Sequence, residues 1–311
     1  MNNSSDVTTE GITSRKFAET NEILRAIDPQ IRVLIQNHRK NSKRWMPHEL
    51  VPWGEGQCYL SKPWRPEDCK LRPEVVIALE TNLLTEDNLP FYYASLARGV
   101  DPESAIGEWG RLWTSEESVH GTSIRDYMLL MRVMDPVTLE QNRMKVMQQG
   151  WYRPFSTPIE LFAYASAQEL ATRISHLETG KKADEPILYK LLAQIAQDEN
   201  FHFIFYRALV KEILDVAPEV MLPAIATQLY SFGMPGGVLD DFAERSAVFE
   251  SEEIFGAVDF RDYVVAPILS FWKIDQLRGL PPHVEKVQER ILKLESVLTR
   301  IIERSAKRNN T

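Results

Sequence analysis

Apolar residues recur at spacings of three and four along most of this chain, which is the pattern of amphipathic helices. No segment alternates apolar and polar residues convincingly, so the pattern predicts an all-α fold. Four stripes are the strongest, and we expect their helices to form the core of a bundle, at about residues 73–98, 101–132, 157–180 and 186–214. A helix over about 19–40 and several helices after Pro218 would extend this bundle at both ends.

The domain organisation follows from where the helical pattern stops. Residues 1–15 are polar and are expected to be disordered, whereas residues 16–311 are expected to form a single helical domain. Between Trp45 and Pro73 five prolines interrupt the pattern, which predicts an extended crossing segment. Three tryptophans in this segment would be costly to expose, so we expect the segment to be ordered.

Ionisable residues stand inside the otherwise apolar stripes of all four core helices. They are Glu86 in the first stripe, Glu117 and His120 in the second, Glu169 in the third, and Glu199 and His202 in the fourth. A buried carboxylate costs several kcal/mol unless it is paired or binds a metal. In the first stripe, Pro90 should remove the hydrogen bond to the Glu86 carbonyl and kink the helix, although a short helix that ends near residue 88 is the alternative.

The same arrangement occurs twice: a helix with a lone glutamate, then a helix with Glu-x-x-His. Glu86 lies 31 residues before Glu117, and Glu169 lies 30 residues before Glu199. Six histidines would give about 0.6 accidental Glu-x-x-His matches, so the two motifs alone prove little. The matched upstream glutamates and the helical context give the pattern its specificity. It predicts a ferritin-like four-helix bundle carrying a di-iron (or manganese) site, extended by additional N- and C-terminal helices.

Two neighbours of the ligand candidates could assist such a centre. Asp198 precedes Glu199 and could accept a hydrogen bond from a ligand imidazole, although plain solvent exposure is the alternative. Thr172 lies one helical turn beyond Glu169 on the same face. Its hydroxyl could face a ligand, or it could simply bond to the backbone of its own helix.

Composition and charge restrict the class of protein further. The 311 residues are 44% hydrophobic, which is ample for a large core, and the net charge of −8 argues against non-specific nucleic-acid binding. An acidic partner would need a local basic patch, for which the basic residues among 39–44 and 300–308 are candidates. The N-terminus has no apolar signal core and no apolar run approaches about 18 residues. We therefore expect no membrane insertion and a soluble, cytoplasmic protein.

Four motifs, in this order and spacing, resemble those of the soluble acyl-carrier-protein (acyl-ACP) desaturases of the stearoyl-ACP desaturase type. They are Thr-Glu-Asp-Asn-Leu-Pro (85–90), Trp-Thr-Ser-Glu-Glu-Ser-Val-His-Gly (113–121), Gln-Glu-Leu-Ala-Thr (168–172) and Asp-Glu-Asn-Phe-His (198–202). Trp45 with the following Met-Pro, and the segment Phe271-Trp-Lys-Ile-Asp275, are also similar to the family. The resemblance covers about residues 40–280.

The resemblance implies roles for individual residues. The two iron ions, or manganese as a substitute, would be held by Glu86, Glu117, His120, Glu169, Glu199 and His202. Trp45, His120 and Asp198 would form a route for electrons to the iron. Thr172 would lie on the oxygen-binding side and help to deliver a proton.

The implied reaction is the O₂-dependent removal of two hydrogens from an acyl chain. The chain would arrive as a thioester on acyl carrier protein, ferredoxin would supply electrons, and the enzyme would work as a homodimer. Arg98 and Leu161 depart from the family pattern, because plant enzymes that desaturate the middle of stearate carry a small polar residue and a glycine there. Both larger residues are expected close to the substrate, so the chain length and the position of the double bond stay open.

Other functions share parts of this pattern. A di-iron hydroxylase or N-oxygenase would use the same ligands on another substrate. Metal storage, as in ferritins, needs little beyond four helices, whereas this chain adds about 110 residues after Ile204 and an aromatic-rich segment before the bundle. A helical scaffold without metal would leave the cost of burying six metal-type side chains uncompensated.

Overall fold

The computed structural model describes residues 9–309, with side chains from Phe17 to Lys307. Every regular element within that range is helical, which confirms the all-α prediction. Helices α1 to α9 are Thr9–Ala26, Asp28–Asn41, Pro47–Leu50, Pro73–Glu86, Leu89–Ala97, Ala105–Leu130, Pro136–Gln149, Pro158–Lys182 and Pro186–Val216. Helices α10 to α15 are Pro218–Tyr230, Phe242–Ser251, Ala257–Asp259, Ala266–Trp272, Pro282–Leu292 and Leu294–Asn309. A π-helical turn, Phe260–Val265, joins α12 to α13.

The core bundle consists of α4, α6, α8 and α9, the four helices that the sequence predicts. α4 contacts α6 and α8, and α9 contacts the same two helices, so the four form a closed ring. α8 and α9 share the most extensive contact and are joined by a short turn. α6 and α8 lie across the ring and are connected through α7, which is the long crossover of ferritin-like bundles.

The first core helix is interrupted directly after its glutamate. α4 ends at Glu86, because Pro90 has no N–H to donate to the Glu86 carbonyl, and α5 begins after a two-residue turn. The Tyr92 hydroxyl donates a hydrogen bond of 2.8 Å to the Thr85 carbonyl near the interruption. A short helix that ends near residue 88 therefore describes the chain better than one continuous, kinked helix.

The second core helix begins later than the sequence pattern indicates. Asp101 Oδ1 accepts the Glu103 N–H within a turn that precedes α6. Ser104 is the N-cap of α6, and its Oγ accepts the Gly107 N–H at 3.2 Å. The turn that contains Pro102 therefore lies before the helix, and Ser104 caps the helix.

The N-terminal region forms two helices where the sequence predicts one over about 19–40. α1 and α2 are divided at Ile27, because Pro29 lacks the N–H that a continuous helix would need. α1 includes residues 9–15, which we expected to be disordered; this polar stretch contains no proline that would stop a helix. The rest of the predicted disordered terminus, residues 1–8, lies outside the described residues.

The remaining elements cover the bundle. α2 lies across α6 and α9, the two helices that carry the Glu-x-x-His motifs, while α10 packs on α8 and α11 on α4. The segment between α2 and α4 is ordered, with Trp45 and Trp64 partly buried. Trp53 is 51% exposed, contrary to expectation, because it starts a surface 3-10 turn. None of the helices described is both long and apolar enough to cross a bilayer.

Candidate metal centre

The bundle interior brings together all six residues that the sequence singles out as metal ligands. Glu86 comes from α4, Glu117 and His120 from α6, Glu169 from α8, and Glu199 and His202 from α9. Each of these residues is at most 8% exposed. The helices therefore contribute a lone glutamate and a Glu-x-x-His pair in alternation, as the internal repeat predicts.

The six side chains form two overlapping groups of four. One group contains Glu86 and His120, the other contains Glu169 and His202, and both contain Glu117 and Glu199. Within each group the candidate ligand atoms lie within 4.8 Å of one another. Two shared glutamates between two groups are the arrangement that a pair of metal ions requires.

Both histidines turn Nδ1 towards the shared glutamates. His120 Nδ1 lies 3.3 Å from Glu117 Oε2 and 3.4 Å from Glu199 Oε1. His202 Nδ1 lies 2.9 Å from Glu117 Oε1 and 3.7 Å from Glu199 Oε2. Neither Nδ1 atom has a hydrogen-bond partner among the described residues, and the same holds for both Glu169 oxygens. Buried polar atoms are rarely left without a partner, so this donor set fits bound metal.

The charge of the cluster also fits two divalent ions. Four carboxylates of −1 and two cations of +2 sum to zero, which suits a buried site. Without metal, burial and the neighbouring carboxylates raise the pKa of Glu86 and Glu169 well above the usual range. Burial also opposes ionisation of Glu199, but the neighbouring imidazoles of His120 and His202 hold its pKa well below the usual value.

The other ring nitrogen of His120 contacts a carboxylate outside the two groups. His120 Nε2 lies 3.3 Å from Asp198 Oδ2, which also accepts the Trp45 indole N–H at 2.6 Å. The structure thus joins Trp45, Asp198 and His120 in one hydrogen-bonded chain, and Asp198 is only 9% exposed rather than solvated. An imidazole that donates Nε2–H outward leaves Nδ1 available for a metal.

His202 has a corresponding chain that the sequence pattern does not single out. His202 Nε2 lies 3.0 Å from Glu116 Oε2, and His38 Nε2 lies 2.9 Å from the same oxygen. Glu116 directly precedes one Glu-x-x-His motif as Asp198 precedes the other, so this repeat was a usable signal. His38 is delivered by α2 from a distant part of the chain, and no local pattern marks it.

Two further residues hold Glu86 in place. His176, buried on the same helix as Glu169, places Nε2 3.1 Å from Glu86 Oε1. Gly121 allows α4 to approach α6, because a Cβ at this position would lie 3.1 Å from Glu86 Cβ. The sequence gives these residues no separate role, although Gly121 ends one of the motifs and His176 lies one helical turn beyond Thr172.

The cluster opens on a cavity whose wall includes Glu86, Glu117, Glu169 and Glu199. Beyond the cluster in one direction the wall is apolar and aromatic, with Leu96, Trp113, Trp151, Phe155, Leu161 and Tyr164. In the other direction polar side chains, namely Thr81, Asn82, Ser175 and Ser246, are mixed with the apolar side chains of Met234, Phe242, Phe249 and Phe255. A concave, mostly apolar site with a few polar groups is typical of a binding site for a small ligand.

Thr172 and Leu161 lie in the cavity wall. The Thr172 hydroxyl accepts a hydrogen bond of 2.9 Å from Gln168 Nε2. Arg98, in contrast, does not line the cavity: it is exposed at the end of α5, where its guanidinium lies 5.6 Å from the Phe17 ring centre. The expectation that Arg98 lies close to the substrate is therefore not met by the cavity wall.

A four-helix bundle with this buried carboxylate and histidine cluster defines a ferritin-like carboxylate protein. A family model described as fatty acid desaturase matches residues 19–311. The chain belongs to the fatty acid desaturase family, which confirms the family resemblance, and it is therefore an oxidoreductase.

Individual relatives agree with this assignment. A Mycobacterium tuberculosis protein named as a candidate acyl-[acyl-carrier-protein] desaturase, DesA1, is 34% identical over 264 residues, which is 81% of this chain and 78% of the relative. The chloroplastic stearoyl-[acyl-carrier-protein] 9-desaturase of Ricinus communis is 27% identical over 305 residues, 91% of this chain and 77% of the relative. The X-ray structure of DesA2 from M. tuberculosis H37Rv superposes with a TM-score of 0.69 at 22% identity, over 86% of this chain and 99% of DesA2, and supports the fold.

Proposed function

We propose that the protein desaturates an acyl chain carried on acyl carrier protein, using two iron ions held by the six buried residues. The observation that carries this proposal is the position of Glu117 and Glu199, which belong to both ligand groups and also line the buried cavity. Removing hydrogen from an unactivated C–H bond requires a strongly oxidising centre beside a substrate shielded from water.

The proposed ligands are Glu86 and His120 for one iron, Glu169 and His202 for the other, and Glu117 and Glu199 for both. Carboxylate oxygens combined with imidazole nitrogens suit iron, and manganese could replace it. When bound, the metal pair would supply the activation of O₂ and the oxidising power. The unpartnered Nδ1 atoms and the charge balance support this assignment.

The proposed reaction converts one –CH₂–CH₂– unit into –CH=CH–. Two C–H bonds break, one C=C bond forms, and O₂ becomes two waters. Two of the four electrons come from the acyl chain and two from ferredoxin, together with two protons. The protein must therefore conduct electrons and protons to the centre and align one C–C bond of the chain beside it.

The chain from Trp45 through Asp198 to His120 is proposed to conduct the electrons. Its outer member is partly exposed and its inner member is a proposed ligand, so it connects the surface to the centre. Thr172 is proposed to deliver a proton from the cavity side. Gln168 orients the threonine by donating to its hydroxyl oxygen, which leaves the hydroxyl proton free to point elsewhere.

The two ends of the cavity suggest how the acyl chain lies. The apolar end beyond Leu96 and Leu161 would take the methyl end of the chain, because burying each CH₂ there is favourable by about 0.8 kcal/mol. The polar end with Asn82 and Ser175 would take the thioester and the amides of the carrier arm, which need hydrogen-bond partners.

The acidic carrier protein is proposed to dock beside the polar end. A second pocket shares Met234, Phe242, Ser246 and Phe255 with the cavity and continues to α15. Arg300 and Arg304 are exposed on α15, next to residues that line this pocket. In the other basic candidate, Arg39 is already paired with Glu108 at 3.0 Å. Ferredoxin as donor and a homodimer are proposed on the family resemblance alone.

Two measurements test the proposal. Purified protein should contain about two iron or manganese ions per chain, and folded protein from iron-replete cells without either metal would contradict it. Incubation with acyl-ACP, O₂ and reduced ferredoxin should then give a product lighter by two hydrogens in mass spectrometry. A product heavier by one oxygen would identify a hydroxylase, and uptake of many irons per chain without product would identify storage.

A further inference from the structure

The two histidines of the Glu-x-x-His motifs are each held by a three-member chain, and both chains end outside the four-helix bundle. Trp45 is the outer member at His120, and His38 is the outer member at His202. Both outer members come from α2 and the segment that follows it. The ion pairs of Glu108 with Arg32 and Arg39, at 3.2 and 3.0 Å, hold α2 on α6.

The His38 ring is fixed on several sides. Its side chain is only 2% exposed, and Nε2 lies 2.9 Å from Glu116 Oε2. The ring stacks on His202 with centres 5.8 Å apart and planes inclined by 20°. The Trp109 ring contacts it edge-on, with centres 5.0 Å apart. The His38 ring therefore hydrogen-bonds to a single oxygen, Glu116 Oε2, and the same oxygen accepts from His202.

The tautomer of His202 depends on that oxygen. His202 can offer the Nδ1 lone pair to a metal only when its proton is on Nε2, and the Nε2–H then needs an acceptor. Glu116 provides the acceptor, but its side chain is 26% exposed, against 11% for Asp198 in the other chain. Water can therefore compete for Glu116, and a second donor is needed to keep its carboxylate turned inward.

We propose that His38 is a positioning residue, which holds Glu116 in the orientation that presents His202 for metal binding. This inference rests on the proposed metal centre. His38, Glu116 and His202 are also close enough to hold a separate ion. However, His202 would then have to give up its Nε2 proton and bind metal through both nitrogens, so a hydrogen-bonded chain fits the geometry better.

Cobalt(II) titration of the metal-free protein, followed by visible absorption, tests the proposal without relying on activity. His38→Phe keeps an aromatic ring but removes the donor, whereas His38→Gln keeps a donor. We expect wild type to bind two cobalt ions per chain and His38→Phe to weaken one of the two steps by about tenfold, with an altered spectrum for that ion. His38→Gln should restore most of the affinity, and Trp45→Phe should weaken the other step instead.

The outcomes separate this inference from the proposed function. Wild-type protein that binds no cobalt would contradict the metal centre itself, while unchanged binding by His38→Phe would contradict only the role of His38. Equal weakening of both steps, with helical content retained in circular dichroism, would also overturn it. A second measurement uses wild-type protein and does not depend on whether a variant folds. ¹⁵N NMR of the zinc-loaded protein should find His38 protonated at Nε2, and protonation at Nδ1 alone would refute the proposal.

Discussion

His176 Nε2 lies 3.1 Å from Glu86 Oε1 in the interior of the bundle. At this distance the two groups could form an ion pair, but burial lowers the pKa of His176 to about 4 and raises the pKa of Glu86 well above its usual range. Both shifts favour the neutral forms in metal-free protein, in which the Glu86 carboxyl donates a hydrogen bond to the imidazole and keeps its proton. Once Glu86 is ionised as a ligand, a neutral His176 can donate from the same nitrogen by changing its tautomer.

The stability of metal-free protein should therefore depend on pH through His176. The unfolded chain takes up a proton below the ordinary pKa of 6.5, whereas the folded protein does so only near 4, so the contribution to stability is full above 6.5 and is lost as the pH falls towards 4. The loss amounts to about 3 kcal/mol. Urea unfolding of wild type and His176→Gln, with a chelator present, measures the effect. The difference in unfolding free energy, wild type minus variant, should rise between pH 4 and 7, and a flat difference would contradict the neutral pair.

The shared glutamates should affect metal binding more than the unshared ones. Glu199 belongs to both ligand groups and Glu86 to one, so Glu199→Ala should lower the metal content below one ion per chain, while Glu86→Ala should leave about one. Glu199→Ala should also abolish product, with helical content largely intact. Metal analysis and circular dichroism check these outcomes, and retained turnover by Glu199→Ala would refute its role as a ligand. Glu212→Ala, on the same helix but outside both groups, is the matched control and should keep both metals.

The core helices and the six clustered residues could be predicted because their signals are local or repeated. A stripe with helical spacing places Glu117 and His120 on one face, and the duplicate places Glu199 and His202 in the same way. His38 could not be found by such reasoning, because it reaches Glu116 across 78 residues of chain. Such a contact depends on how α2 packs, and no spacing in the sequence encodes it.

The errors have local causes that a pattern of apolar residues does not capture. The second core helix is predicted from about residue 101 but begins at Ala105, because Asp101 forms a turn and Ser104 caps the helix, and only the turn geometry decides between these two side chains. The first core helix is predicted as one element over about 73–98, but a two-residue interruption divides it. Pro90 indicates that the helix is interrupted, but the length of the interruption is set by the packing of the helices on both sides.

Leu161 should limit the length of acyl chain that the cavity accepts. It lines the apolar end, so Leu161→Ala would make room for about two more methylenes, each worth about 0.8 kcal/mol when buried. The relative kcat/KM for a chain two carbons longer should rise by about tenfold in competition assays. The variant should also lose about 2–5 kcal/mol of stability. Arg98→Ala is the control, since Arg98 lies outside the cavity, and an equal shift in that variant would contradict the assignment of Leu161.

Removing the hydrogen-bond donor of Trp45 should slow electron delivery without removing metal. In Trp45→Phe, Asp198 loses the indole N–H at 2.6 Å, and the aromatic path to the surface is altered. In protein loaded with saturating metal, which offsets the weaker binding of one ion, turnover with reduced ferredoxin should fall by about 10- to 100-fold. Product formation in a single turnover, by protein that has been reduced chemically beforehand, should be affected much less. Equal losses in both assays would show that Trp45 acts on the chemistry and not on electron transfer.

Reversing the charge of Arg300 and Arg304 should weaken binding of the acidic carrier. The paired change Arg300→Glu/Arg304→Glu replaces attraction by repulsion at the α15 end of the second pocket, where each surface pair is worth about 0.2–1 kcal/mol. The KM for acyl-ACP should rise by roughly tenfold, with little change in kcat, and the rise should shrink as salt screens the charges. Lys43→Glu/Arg44→Glu tests the alternative basic surface with the same change in net charge. If only that second pair raises the KM for acyl-ACP, the carrier docks near the C-terminal end of α2 instead, and the proposed docking surface at α15 would be wrong.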